Sequence, residues 1–327
     1  MSDFMKNVIG IFIRSRPFFG SQITTLPALY YLKKTYNNNP INLFSRYELS
    51  WFYEQCPWVE SFSFSKNILS DLRVFPKNCH LLVSFQPSSE SQSIVKFIKR
   101  PSEAIGFKRK QGIFSPSWDF EIPFNDSEYR ASHYLRLVSK NKLDKNSTEL
   151  PQHLSAPFHE LAKHSKYPIS YTPSSTRIAI MPGGGAGNFK KWGLKNYLEL
   201  INAIRENHGS DIIFDIILGP SETEELSTLK KQKANYINLH HNLSLPDLSK
   251  VVNFSQLVIA NDCGPSHIAQ CLSKPYIGIY DKLKPEWIFQ HADSKILTPP
   301  TDSAPISSIS VETVKAHFSN MISRLYN

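Results

Sequence analysis

At 327 residues, with 41% hydrophobic and 20% charged residues, the chain has the makeup of a soluble globular protein and the length for two domains. No low-complexity block or fixed-period repeat interrupts it, and no apolar stretch approaches the ~20 residues of a transmembrane helix. The net charge of +9 fits either a solvated surface or attraction to an acidic substrate or an anionic membrane surface. It does not point to nucleic acid, because the basic residues, among them the small clusters Lys108-Arg109-Lys110 and Lys190-Lys191, form no stripe with interleaved aromatics.

Residues Asn7–Ile13 read as a buried strand, too short and too soon closed by Arg14 for a signal segment. A cytoplasmic location follows as the expectation, with peripheral contact at the inner membrane surface. Gln22–Tyr36 shows helical spacing through Ile23, Leu26, Leu29 and Tyr30. Ile41–Ser45 and His80–Phe85 are further strands, Ser88–Ile98 and Tyr129–Lys140 further helices. This repeated strand–loop–helix order predicts a parallel sheet covered by helices. From Leu150 to Ser175 the prolines at 151, 157, 168 and 173 predict an irregular crossing, with the linker itself at 161–176.

The alternation then restarts: strand Arg177–Met181, helix Leu194–Glu206, strand Asp211–Leu218, helix Glu222–Lys231 and strand Tyr236–Leu239. Helix Leu245–Asn253 opens on Pro246, which suits a first helical turn. Strand Leu257–Asn261, helix Pro265–Leu272, strand Tyr276–Tyr280 and the amphipathic helix Val311–Leu325 complete the chain. The expected class is α/β, two Rossmann-like domains facing a central cleft: 1–160, then 177–310, with 311–327 as a closing helix packed back toward the first domain. Cys56, Cys79, Cys263 and Cys271 lie far apart, without a C-x-x-C pair or a histidine cluster, so neither disulfide nor metal is implied.

In such sheets ligands sit beyond the carboxyl ends of the strands, which directs attention to loops 14–22, 182–193, 219–222 and 261–267. The run Pro182-Gly183-Gly184-Gly185-Ala186-Gly187 lets backbone N–H groups approach an anion, and Lys190 and Lys191 add charge, a combination suited to a diphosphate. It matches neither the P-loop nor the dinucleotide fingerprint, and a flexible hinge is the other reading of the loop. Asn261-Asp262-Cys263-Gly264-Pro265-Ser266-His267 is more specific. An apolar strand delivers Asp262, a Gly-Pro turn follows, and Ser266 and His267 fall in the first helical turn, with donors and dipole aimed at a phosphate or sugar hydroxyl. Glu222, after another strand, is placed either to accept two ribose hydroxyls or to favour a helix N-terminus.

These segments resemble glycosyltransferase family 9, the ADP-heptose:lipopolysaccharide heptosyltransferases. The similar stretches are Pro182-Gly183-Gly184 through Lys191-Trp192, Leu218-Gly219-Pro220-Ser221-Glu222, Asn261 through Ala269, and Lys274-Pro275. In the first half they are Gly20 through Leu29, Leu81 through Gln86, and Ile105-Gly106-Phe107. The resemblance spans nearly the whole chain and implies the GT-B fold, with an acceptor-binding first domain and a nucleotide-sugar-binding second domain. It further implies inversion at the anomeric carbon without metal or cofactor. Gly183, Gly184, Lys191, Asp262, Cys263, Gly264, Pro265, Ser266 and His267 would then hold the donor phosphates and sugar, and Glu222 the ribose. The implied reaction moves a sugar, a heptose, from a nucleotide-diphospho-sugar to a lipopolysaccharide-core or related acidic glycan. One position departs from the pattern: Ser21 stands where the family carries its catalytic Asp. A serine hydroxyl is no base near neutral pH, and a placed base is worth ~10²–10⁴-fold. Three readings stand: a transferase whose base lies elsewhere, with Glu48 and Glu90 as candidates; a transferase whose acceptor differs from the usual lipid-linked sugar; or a protein that binds a nucleotide-sugar without efficient transfer.

Overall fold

The computed structural model describes residues 7–14, 16–36, 39–87, 90–108, 118–169, 175–185, 187–209, 211–232 and 234–326. Arg109, Lys110, Ala186, Pro173 and the side chain of Glu90, all used above, lie outside the described residues or side chains.

The chain forms two compact units, Met1–Pro157 and Phe158–Asn327. The first contains β1 Val8–Phe12, α1 Phe19–Ile23, α2 Leu26–Thr35, β2 Ile41–Ser45, α3 Ser50–Tyr53, β3 Ser61–Phe64, α4 Ile68–Val74, β4 Cys79–Ser84, α5 Glu90–Lys99, β5 Glu103–Lys108, β6 Phe120–Pro123 and α6 Arg130–Val138. Helix α7, Leu150–His164, contains the boundary. The second unit continues with β7 Thr176–Met181, α8 Leu194–His208, β8 Ile212–Leu218, α9 Thr223–Gln232, β9 Ile237–His241, α10 Leu245–Phe254, β10 Leu257–Asn261, α11 Ser266–Cys271, β11 Tyr276–Ile279, β12 Ser294–Leu297 and α12 Val311–Tyr326.

The sheet orders are β3-β2-β1-β4-β5-β6 and β12-β11-β10-β7-β8-β9, and every pair of neighbours is parallel. Counted within its own unit, each sheet has the same doubly wound order, 3-2-1-4-5-6. The α/β class expected from the alternation is borne out. The inner strands of the second sheet, β7, β8, β10 and β11, are nearly continuous apolar runs because helices cover both faces. Ile178, Ile180, Phe214, Ile216, Ile259 and Ile277 pack in one core with Trp192, Tyr197 and Leu200 of the following segment and with Val314 and Phe318 of α12.

Three expectations need correction. The irregular crossing from Leu150 instead begins with α7, so the expected linker 161–176 starts inside a helix. Leu150, Leu154, Phe158 and Leu161 form a buried stripe at helical spacing that outweighs Pro157, whose missing N–H removes one bond to the turn before it. The single helix over Gln22–Tyr36 is two helices: Thr24 Oγ donates to the Ser21 carbonyl at 2.9 Å and Thr25 Oγ to the Gln22 carbonyl at 2.7 Å, side-chain bonds that compete with the helical ladder. The reading also missed β3, β5, β6 and β12. Three of these are edge strands of four residues, too short and too mixed in polarity to stand out as apolar runs. In β5, Gly106 lies under the Trp118 indole, which would come within 2.4 Å of any Cβ placed there.

Candidate functional site

In a doubly wound sheet the crevice opens where neighbouring strands send their loops to opposite faces. In the second unit that point lies between β7 and β10, which pair through Leu257–Ile178 to Ala260–Met181. The loops that diverge there are the glycine loop after Met181 and the Asp262–Pro265 turn after Asn261. The two most site-like segments of the sequence are thus brought together at one place by topology.

Asn261 joins them. It is fully buried; its amide donates to the Pro182 carbonyl at 2.6 Å, and its carbonyl oxygen accepts from the Tyr197 hydroxyl at 2.8 Å and from the Trp192 N–H at 3.4 Å. The Trp192 indole in turn donates to the Ile309 carbonyl at 2.7 Å. A polar side chain at the end of an apolar run was the visible signal, although the sequence reading assigned it no role.

Beyond Asn261, the carboxylate of Asp262 is ion-paired with the Lys190 ammonium. Lys190 closes a single 3₁₀ turn, Asn188–Lys190, whose preceding residue Gly187 has φ 145°, a conformation that favours glycine. Lys191, the lysine that the resemblance singled out, instead bonds Glu225 Oε1 at 2.7 Å. Burial pushes the Glu225 carboxyl up and the Lys191 hydrogen bond pulls it down, with a net lowering.

The turn itself differs from the expected donor array. The N–H groups of Ser266 and His267 donate to the carbonyls of Cys263 and Gly264, at 3.3 and 3.2 Å, and Ser266 Oγ donates to the Cys263 carbonyl at 2.7 Å. These donors are committed within the turn. Among the described residues the N–H groups of Cys263 and Gly264 donate to no backbone or side-chain acceptor. Burial raises the Cys263 thiol to about 12 and lowers the His267 imidazole to about 4, so both are neutral near pH 7. His267 Nδ1 lies 3.3 Å from Gln270 Nε2, and its ring packs 5.6 Å from that of Trp287.

Glu222 stands one strand over, after β8. Its Oε2 accepts from the Gly219 N–H at 2.8 Å and its Oε1 from Ser221 Oγ at 3.0 Å. A Cβ at Gly219 would come within 2.8 Å of this carboxylate and one at Gly183 within 3.0 Å, so both glycines make room for it. Each oxygen, holding one bond, keeps a lone pair for a ligand hydroxyl. Gly183, Gly184, Lys190, Glu222 and Asp262 thus belong to one corner of the second unit, with a cation, two carboxylates and close backbone approach. Such a corner is chemically suited to a diphosphate joined to a diol.

Ser21 lies in the first unit, in α1 after β1, and is 8% exposed. Its neighbour Gln22 accepts from the Tyr53 hydroxyl at 2.8 Å. Gln86, after β4, donates to the Ile13 carbonyl at 2.6 Å, bridging the β1–β4 switch point of this sheet. Glu48, in the loop after β2, accepts from the Ser50 N–H at 2.9 Å, and its carboxyl is lowered chiefly by hydrogen bonds from Ser50.

The sequence profile of glycosyltransferase family 9 (heptosyltransferase) matches residues 77–298. The chain is similar to lipooligosaccharide heptosyltransferase 2 of Campylobacter jejuni subsp. jejuni serotype O:6, with 21% identity over 287 residues, 84% of this chain and 82% of that one. Its fold is similar to that of a family 9 glycosyltransferase from Veillonella parvula (TM-score 0.67, 15% identity, 99% of each chain). It is also similar to that of E. coli ADP-heptose lps heptosyltransferase II (TM-score 0.65, 12% identity, 98% of this chain and 100% of that one). Among the described residues no helix is long and apolar enough to cross a membrane.

Proposed function

The chain belongs to glycosyltransferase family 9, has its GT-B fold and is a glycosyltransferase; on that premise we propose that it transfers a heptose from an ADP-heptose-like donor to a lipopolysaccharide-core or related acidic glycan. The observation that carries this reading is the Lys190–Asp262 ion pair at the β7–β10 switch point, one strand away from the prearranged Glu222 carboxylate. The donor diphosphate would draw the Lys190 ammonium from Asp262, and the unbonded N–H groups of Cys263 and Gly264 would receive its oxygens. Glu222 would accept the ribose hydroxyls. The similarity to a lipooligosaccharide heptosyltransferase and to an ADP-heptose lps heptosyltransferase supports the donor and acceptor classes.

In the proposed reaction an acceptor hydroxyl oxygen attacks the anomeric carbon while the bond from that carbon to the diphosphate oxygen breaks. The nucleoside diphosphate leaves with the electron pair and the hydroxyl proton passes to a base. Attack opposite the leaving group inverts the centre. Lys190 and the turn N–H groups supply the electrostatic stabilisation of the leaving charge, which is why we propose that neither metal nor cofactor takes part. Ser21 is not the base. Glu48 is held more acidic than an ordinary carboxylate, which disfavours it.

The test is ADP release from ADP-heptose in EDTA, with and without a truncated lipopolysaccharide acceptor. Release that depends on acceptor, with an inverted anomeric proton in the product NMR spectrum, is the expected result. Nucleotide-sugar binding with no turnover across a panel of core acceptors would replace the reading with one of binding alone. Ser21→Asp adds a second arm: faster turnover assigns Ser21 to a degraded base position, and unchanged turnover places the base elsewhere.

A further inference from the structure

The first unit carries an apolar surface that its own fold leaves in water. Helices α4 and α5 lie side by side and are tied at both ends. Arg46 bonds the Asp71 carboxylate of α4 and, at 3.4 Å, the Ser91 hydroxyl of α5. Lys99 of α5 donates to the Phe75 carbonyl just beyond α4, at 3.1 Å. Each helix turns one side inward: Val95 joins the core formed with Phe12, Phe44, Phe75 and Leu82, and Leu72 packs against it. The opposite side of such a helix is ordinarily polar. Here α5 places Ile94, Phe97 and Ile98 there, at i, i+3 and i+4, with 45%, 78% and 52% of their surfaces exposed, and on the two flanks of α4 stand Leu69, 74% exposed, and Val74, 42% exposed. One exposed leucine needs no explanation, but five large apolar side chains on two joined helices mark an interaction surface.

Charge identifies the occupant. From Phe64 to Arg100 the sequence holds six lysines and arginines (66, 73, 77, 96, 99 and 100) against two acids, Asp71 and Glu90. Asp71 is already neutralised by Arg46. Lys66, Arg73, Lys77 and Arg100 are exposed, each within or close beside the two helices in sequence. A second copy of this chain would set the same cations against one another. An anionic bilayer accepts both features, since apolar side chains enter the boundary between headgroups and acyl chains while cations meet lipid phosphates. We infer that the α4–α5 face docks the first unit on an anionic lipid surface. This goes beyond the transfer reading and does not rest on it.

The test sediments the full-length protein with vesicles of phosphatidylglycerol and phosphatidylethanolamine, or of phosphatidylcholine alone. Binding to the anionic vesicles, weakened by about 0.5 M salt, is expected, with little binding to phosphatidylcholine. F97S/I98S should lower partitioning at least about tenfold, and R73E/K77E should weaken it and remove most of its salt dependence. All four side chains are exposed, so circular dichroism and ADP release with a water-soluble acceptor should match the parent protein. Parent-like binding by both variants, or no binding of the parent to anionic vesicles, overturns the inference. So does a concentration-dependent dimer abolished by F97S/I98S, which would give the face to a second copy. Vesicle binding without any sugar transfer would overturn the transfer reading and leave this one standing.

Discussion

Two adjacent lysines show how much depends on a single residue's direction. Lys190 and Lys191 are equivalent in charge and length, yet one meets Asp262 and the other Glu225. A hydrogen bond to a charged group contributes about 1.5–3 kcal/mol, whereas a partly exposed ion pair contributes about 0–1 kcal/mol. Lys190→Ala should therefore weaken ADP binding about 10- to 100-fold and Lys191→Ala no more than about fivefold, measured by isothermal titration calorimetry. Equal losses would mean that both ammonium groups reach the diphosphate. Neighbouring lysines are indistinguishable in a one-dimensional pattern. Only the phase of the short turn Asn188–Lys190 separates them.

At the scale of elements, the strand–turn–helix around Asn261 is held by side-chain bonds across long separations. Asn261 bonds Pro182, Trp192 and Tyr197, and Trp192 reaches Ile309, so β10, the glycine loop, α8 and the entry to α12 share one buried node. Asn261→Ala leaves a buried carbonyl, a hydroxyl and an amide without partners, at about 1–3 kcal/mol for each such group. The expected outcome is a loss of at least about 3 kcal/mol in urea unfolding of the second unit's transition. Nucleotide binding should also weaken at temperatures where the fold persists. Unchanged stability would show that water or a shifted loop replaces the amide. Apolar runs and Gly-Pro turns announced these elements in the sequence; Asp262 stood out because it directly follows such a run, and Glu222 because it ends the short Gly219-Pro220-Ser221 turn after one. The α11 donors were misjudged because the turn consumes its own N–H groups, a matter of local hydrogen bonding that residue types do not reveal.

For the whole molecule, the two units repeat one strand order and each buries a neutral histidine. Burial lowers both His133, in α6, and His267, in α11, to about 4 from the ordinary 6.5. Glu128 and the Pro123 carbonyl oppose the shift at His133, and Asp262 opposes it at His267. The unfolded chain therefore binds more protons than the folded one between about pH 6.5 and 4. Stability falls as pH drops through that window, by on the order of 3 kcal/mol for each histidine, and these two groups add no further loss below it. Urea unfolding should thus show a declining midpoint from about pH 7 to pH 5, with a shallower decline in His133→Gln. A flat profile in the parent protein would mean that the imidazoles gain protons without unfolding.

The alternation of apolar runs with helical spacing, together with the glycine loop and the Asp262 turn, determined by itself the α/β class, the repeat of two sheets and the segments that we propose hold the donor. Periodicity and turn chemistry act over a few residues and can be read in one dimension. The tertiary structure alone decided that β7 and β10 are neighbours, which brings residues about 80 apart to one corner. It also decided that Lys190 rather than Lys191 meets Asp262, that α7 absorbs two prolines, and that α4 and α5 present Leu69, Phe97 and Ile98 to the outside. Each of these depends on packing between segments distant in sequence, where burial and side-chain direction are set by partners that local sequence does not specify.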